Sequence, residues 1–354
     1  MTAPMRIGLV GAGWISRTYA AALRRVPGAQ LVAVWSRTRE RAERFATELG
    51  CEVSSDCVAD LFPHVDVVCV NSPNALHAEH AIAAARAGKH VIVEKPLATT
   101  IEEGEAIVAA CAEAGVGLAY AEELPFVPKF ARVRELLASG ALGGPLYVTQ
   151  REGHAGPYSP WFFTREEAGG GVLMDLACHG IECVRWVLGK PAVRRVTAHL
   201  ATARHADRTA LEDHAVVHLD FEGGVTALVE ASWALEGGMQ SRLEVWGARG
   251  YVEADLLQAT GLRAFAKDGG IPFAAAHGWS TPPADWLWEN GYPQELEHFL
   301  DCFRRGTTPL ESGADGIAVL EILSAAYASA RAGRAIELPF RPKGVARAVD
   351  LWLG

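Results

Sequence analysis

The chain contains no Cys-x-x-Cys pair, no apolar run of membrane-spanning length and no excess of basic residues. Its seven cysteines, Cys51, Cys57, Cys69, Cys111, Cys178, Cys183 and Cys302, are odd in number. Several sit inside apolar runs, as in Val67-Val68-Cys69-Val70. A disulfide framework or a zinc site is therefore not expected, whereas reduced thiols in a core are. A membrane helix needs about 18 consecutive apolar residues, and no stretch supplies them. The formal net charge of -9 excludes the basic footprint of a nucleic-acid binder and argues against docking on acidic membranes. An apolar strand begins at Ile7 and leaves no room for a leader, so a cytoplasmic protein is expected.

What is present is ordinary globular material. Half of the 354 residues are apolar and 21% are charged, enough to build a core in each of two domains. Short apolar runs at 6–10, 30–35, 65–71, 90–94 and 117–121 alternate with helix-like segments at 15–26, 38–49, 76–87 and 101–114. That alternation predicts a parallel α/β sheet. Gly28, Gly50, Gly88 and Gly115 follow the ends of those helices, where a left-handed residue is favoured.

After about residue 145 the texture changes. Alternating, β-branched runs at 146–153, 193–205, 214–221, 225–233, 242–246 and 262–267 predict a large, open, mostly antiparallel sheet. Helices are expected over 174–188, 294–305 and 315–332, and a long Gly-, Pro- and Trp-rich loop over 268–290. The expected fold is α/β: an N-terminal doubly wound Rossmann domain over 1–122 and a C-terminal α+β domain over 123–354.

Gly8-Leu9-Val10-Gly11-Ala12-Gly13-Trp14-Ile15-Ser16 leaves the first strand and opens the first helix. Gly11 and Gly13 permit the tight turn and the close approach of backbone to a pyrophosphate. The helix start at Trp14 and Ile15 then supplies amide donors and a positive dipole end. A nicotinamide dinucleotide is the expected cofactor. The end of the second strand normally separates NAD from NADP, an acid there binding the ribose 2′-hydroxyl. Here it reads Trp35-Ser36-Arg37, with no acid. Ser36 and Arg37 would hold a 2′-phosphate, or Arg37 would stack on adenine, and both cofactors stay open.

Further motifs follow. Asn71-Ser72-Pro73-Asn74-Ala75-Leu76-His77 ends the third of these strands, Glu94-Lys95-Pro96 ends the fourth, and Gly169-Gly170-Gly171 precedes Asp175 and His179. Together they resemble the glucose–fructose oxidoreductase, inositol dehydrogenase and rhizopine-catabolism (Gfo/Idh/MocA) family, from Ile7 to about Tyr327. The resemblance implies the two-domain fold, hydride transfer at a hydroxyl carbon of a sugar or cyclitol, and pairing of subunits through the C-terminal sheet into a homodimer or homotetramer. It implies catalytic roles for Lys95, Asp175 and His179, and cofactor contacts at Asn71, Pro73, Asn74, His77, Glu94, Lys95 and Glu122. Two departures bear on substrate: Glu123 stands where relatives often have Asn, and Ala177 where many have Gly.

The residue chemistry fits that implication. Oxidising an alcohol needs a base for the hydroxyl proton and a cation for developing alkoxide charge. Asp175 and His179, four apart, share a helical face, with Glu182 next on it. His suits proton exchange near neutrality, and Lys95 is a point charge at a strand end where ligands dock in such sheets. A metal on Asp175 and His179 lacks a third ligand, so none is expected. Trp161 and Tyr292 are candidates to line the nicotinamide pocket. Glu123, His154 and Tyr158 join the catalytic residues as candidate sugar contacts. Two alternatives remain. One is a glycosidase working by transient oxidation and elimination, with Glu122, Glu123, His154 or Tyr158 as the further base. The other is a nucleotide-sensing regulator, which needs no proton relay.

Overall fold

In the computed structural model the described residues are 3–257, 264–266, 278–280 and 285–354. The first half forms β1 (Met5–Val10), α1 (Trp14–Leu23), β2 (Ala29–Trp35), α2 (Arg39–Leu49), β3 (Val53–Ser55), β4 (Val67–Val70), α3 (His77–Arg86), β5 (His90–Glu94), α4 (Ile101–Ala114) and β6 (Leu118–Ala121). The six strands make one parallel sheet in the order β3-β2-β1-β4-β5-β6. This is the expected doubly wound sheet. Burial on both faces explains why its strands read as continuous Val-, Ile- and Ala-rich runs. The short β3 has no apolar run of its own and was not expected from the sequence.

The second half contains α5 (Pro128–Ala138), β7 (Pro145–Gly153), α6 (Arg165–Ala168), α7 (Cys178–Val187), β8 (Val193–Ala201), β9 (His214–Phe221), β10 (Thr226–Ser232), β11 (Gln240–Gly247), β12 (Gly250–Asp255), β13 (Ala264–Ala266), β14 (Gly278–Ser280), α8 (Trp286–Glu289), α9 (Tyr292–Arg305), α10 (Gly313–Ala332), β15 (Ile336–Glu337) and α11 (Asp350–Leu353). Seven strands form one sheet, β12-β11-β7-β10-β9-β8-β15. It is antiparallel except between β7 and β10, which run parallel because the chain crosses over through α6 and α7 between them. On β9 and β10 alternate residues are buried, the helix-facing side being Ala215, Val217, Leu219, Ala227, Val229 and Ala231.

Several expectations need correction. Helix α5 was not expected; Pro128 at its first turn and the buried Phe130 and Val133 are its start signal and inward face. The strand expected to reach 205 stops at Ala201, because the amides of Ala203, Arg204 and His205 turn to donate to the Asp213 carboxylate. Strand β12, also not expected, hairpins onto β11 through a short turn. Most of the loop expected over 268–290 lies outside the described residues, and of the strand expected over 262–267 only 264–266 is described.

Two helices from the second half bind the halves together. Leu296, Phe299, Leu300 and Phe303 of α9 share a core cluster with Ile7, Leu9 and Tyr19. Helix α10 packs between α4 and β8. The cleft between the two sheets is therefore framed from both sides.

Candidate active site

The site begins at the glycine turn. Gly11 has φ +143°, and a Cβ there would fall 2.3 Å from the Asn71 carbonyl oxygen, so the loop closes against the end of β4 only with glycine. Gly13 caps α1 and has no heavy atom within 4 Å of a built Cβ, leaving the helix N-terminus open to the cleft. Asn71, 8% exposed, has neither amide atom hydrogen-bonded among the described residues. An open helix start beside an unpartnered carboxamide is what a dinucleotide requires, so the residues present fit the cofactor.

From there the cleft, about 380 Å³, runs across to the second sheet. At its centre the Lys95 ammonium, carried past the end of β5, donates to the Asp175 carbonyl at 2.7 Å and to Asp175 Oδ1 at 3.1 Å. Trp233 Nε1 donates to the other carboxylate oxygen at 2.9 Å. Burial alone would raise the Asp175 pKa, but Lys95, His154 and Trp233 hold it below the usual carboxylate range. Burial opposes the Lys95 charge too, yet the Asp175 carboxylate, the largest of the acidic influences around it, keeps it firmly protonated.

Asp175 sits in a π-helical turn, Leu173–Ala177, that leads into α7. Such turns are rare and gather at functional sites. The turn is anchored by Glu212, which accepts the amides of Gly171 and Leu173 and the Tyr327 hydroxyl. A Cβ on Gly171 would fall 2.0 Å from the Glu212 carbonyl, which accounts for part of the triple glycine.

His179, one turn further, is 3% exposed. Its Nδ1 lies 2.8 Å from Glu122 Oε1 and 3.4 Å from Glu123 Oε2. No hydrogen bond reaches its Nε2 from the described residues, and the ring lines the cleft. Burial pushes Glu122 up to about 8 and Glu152 up to about 7, and raises Glu123. Glu122, Cys178 and His179 bring ligand atoms within 4.8 Å of one another. The Cys178 thiol already donates to the Asp175 carbonyl, and burial pushes it well above its ordinary range, away from the thiolate a metal needs.

The structure brings most of the candidate residues together. Gly13, Trp14, Ile15, Asn71, Asn74 and His77 line the end of the cleft at the start of α1. Glu94, Glu123, His154, Tyr158, Trp161 and Tyr292 line the rest beside Lys95, Asp175 and His179. His154 Nδ1 accepts the Gly156 amide, which leaves the proton on Nε2, 3.9 Å from Asp175 Oδ2. Trp14 stacks on Tyr158 and Tyr158 on His154, a ladder across the cleft mouth.

Some candidates stand elsewhere. Glu122 is fully buried behind His179 and does not line the cleft. Glu182 leaves the Asp175–His179 face for an ion cluster with Arg185 and Lys190. His77 has its ring nitrogens 2.9 Å from the Pro96 and Ser72 carbonyls, which braces the loop after β5. Pro73 starts a 3-10 turn outside the cleft lining, Ser36 is buried, and Arg37 pairs with Glu167 of α6 at 2.6 Å. Two residues were missed. Glu152 was detectable as an acid at an inward position of an alternating strand, whereas Trp233 reads as core and carried no signal.

Comparison with known proteins places the chain in a family. Residues 5–122 match the oxidoreductase family with an NAD-binding Rossmann fold, and residues 130–253 match the GFO/IDH/MocA C-terminal domain. The 1,5-anhydro-D-fructose reductase of Ensifer adhaerens is 32% identical over 94% of this chain and 98% of its own. The scyllo-inositol 2-dehydrogenase (NAD(+)) of Bacillus subtilis is 29% identical over 88% of this chain and 90% of its own. The crystal structure of GenD2 from gentamicin A biosynthesis in complex with NAD matches with a TM-score of 0.88 at 34% identity, over 96% of this chain and 98% of that one. The chain belongs to the GFO/IDH/MocA family of oxidoreductases and carries its NAD-binding Rossmann domain.

Proposed function

We propose that the protein is a nicotinamide-dependent dehydrogenase or reductase acting on a hydroxyl carbon of a sugar, sugar derivative or cyclitol. The observation that carries this reading is the convergence of Lys95, Asp175 and His179 in one cleft with the open start of α1. A nicotinamide dinucleotide held at the start of α1 would supply the two-electron acceptor for the hydride of the carbinol carbon. Lys95, held charged, stabilises the oxygen as it becomes alkoxide. It cannot serve as base for the same reason. Asp175 is excluded as base because both its oxygens are bonded and its pKa is depressed; its work is to hold Lys95, as Trp233 holds Asp175. His179 takes the proton at Nε2 when the Glu122 carboxyl, which burial raises to about 8, is ionised: the carboxylate then accepts from Nδ1–H, fixes that tautomer and stabilises the cation that forms. Reduction runs the same steps in reverse.

The relatives named above are a reductase and a dehydrogenase, and no observation favours elimination chemistry, so the glycosidase reading is not carried further. The direct test is to incubate the purified protein with NAD or NADP and a panel of polyols, following reduced-nicotinamide absorbance and cofactor binding by calorimetry. We expect binding of at least one cofactor and oxidation of at least one polyol. Failure to bind either cofactor contradicts the reading. Arg37→Ala separates the cofactors: a role on a 2′-phosphate predicts a much larger loss for NADP than for NAD.

A further inference from the structure

We propose that the substrate carries a cationic amino group, received by Glu152 and Glu123 on the side of the cleft facing the second sheet. This deepens the dehydrogenase reading and rests on it.

Glu152 sits on β7 among residues facing the helices and is 2% exposed, yet it lines the cleft. Its Oε2 accepts from Gln150 Nε2 and from Ser241 Oγ, each at 3.3 Å. Its other oxygen has no donor among the described residues, and no basic side chain of those residues pairs with it. Glu123 lines the same wall, and among the described residues its one ion pair is with His179, at 3.4 Å. The positive groups nearby are already committed. Lys95 is matched by Asp175, and His179 gives its closer contact to Glu122. His154 is driven towards its neutral form by burial.

Among the described residues neither carboxyl on this wall has a basic partner of its own, since Glu123 shares His179 with Glu122 and Glu152 has no ion pair. Burial raises the pKa of both, and His179 and Lys95 only partly offset it. A buried, unpaired carboxylate is costly, and hydroxyl groups of a neutral sugar relieve it only weakly. An ammonium group would bring both the missing charge and three donors, and would form short charge-assisted bonds.

The test uses matched pairs differing in one group, D-glucosamine with D-glucose and scyllo-inosamine with scyllo-inositol. Binding to the NADH-loaded protein is measured by calorimetry, and kcat/KM with NAD where turnover occurs. At least one amine should bind tenfold or more tighter than its hydroxyl partner. Glu152→Gln should reduce that preference by tenfold or more, and Glu123→Gln should reduce it in a second, independently folded variant. A panel in which no amine outbinds its partner overturns the proposal, as does a preference that both variants leave unchanged. Loss of cofactor binding, or a clean preference with no oxidation of any polyol, counts instead against the dehydrogenase reading.

Discussion

The proposed division of labour in the cleft rests on which atoms are already bonded. His179→Ala should lower turnover by about a hundredfold or more, the usual contribution of a positioned acid–base group, with cofactor affinity nearly unchanged. Trp233→Phe keeps the ring in the core and removes the donor to Asp175. A hydrogen bond to a charged group is worth about 1.5–3 kcal/mol, so kcat should fall roughly ten- to a hundredfold while NAD affinity holds. Unchanged kcat would show that Asp175 needs no help in holding Lys95. The buried carboxyls also predict a pH effect on stability. Burial raises Glu94 and Glu122 to about 8, and Glu152 and Glu212 to about 7, from an ordinary value of 4.5. The folded state therefore binds these protons more tightly than the unfolded one. Their contribution is fully present below pH 4.5 and is lost as pH rises through about 7 to 8. Melting of the cofactor-free protein from pH 6 to pH 9 should give a falling Tm, with a shallower fall in Glu122→Gln. A rising Tm with equal slopes in both would contradict this assignment.

At the scale of elements, what could be read from the sequence was what the chain encodes locally. The strand–glycine–helix turn at 5–15, the strands of the Rossmann half and the helix carrying His179 all announce themselves by period and punctuation. The π-helical turn at Asp175 was not legible, because it is imposed by Glu212 and Tyr327, 37 and 152 positions along the chain from it. Trp233 was hidden for the same reason: its partner lies 58 residues away. The parallel pairing of β7 with β10 depends on a crossover, which alternation alone does not encode. The turn after β1 gives a direct test. Gly11→Ala drives a methyl group into the Asn71 carbonyl and forces a positive φ on an L-residue, so it should weaken NAD binding severely and lower Tm. Wild-type affinity in that variant would mean that the loop does not close against β4 as described.

For the whole molecule, the face of the seven-stranded sheet opposite its buried side is only half-buried among the described residues. That face is not the simple apolar surface that exposed β-branched residues would make. Tyr147, Trp246 and Tyr251 form an aromatic cluster, ringed by ion pairs such as Arg242–Glu253 and Arg151–Glu230. We propose that this mixture, which resembles the core and rim of a specific interface, pairs two copies of the chain. Light scattering at micromolar concentration should then give a multiple of 37.9 kDa, and Trp246→Glu should shift it towards one chain. A wild-type mass of a single chain would refute the pairing. We likewise propose 1–122 and 123–354 as the domains, with α9 returning to complete the Rossmann core.

The central claim is that this cleft moves a hydride from a carbinol carbon to NAD while His179 takes the proton. It is tested most directly by a single-turnover measurement of reduced nicotinamide, with wild type and His179→Ala mixed with NAD and the best polyol or amino-polyol of the panel. The account predicts formation of about one reduced cofactor per active site in the wild type, with hydride transfer slowed about a hundredfold or more in the variant at matched cofactor occupancy. Equal rates in the two proteins would contradict it.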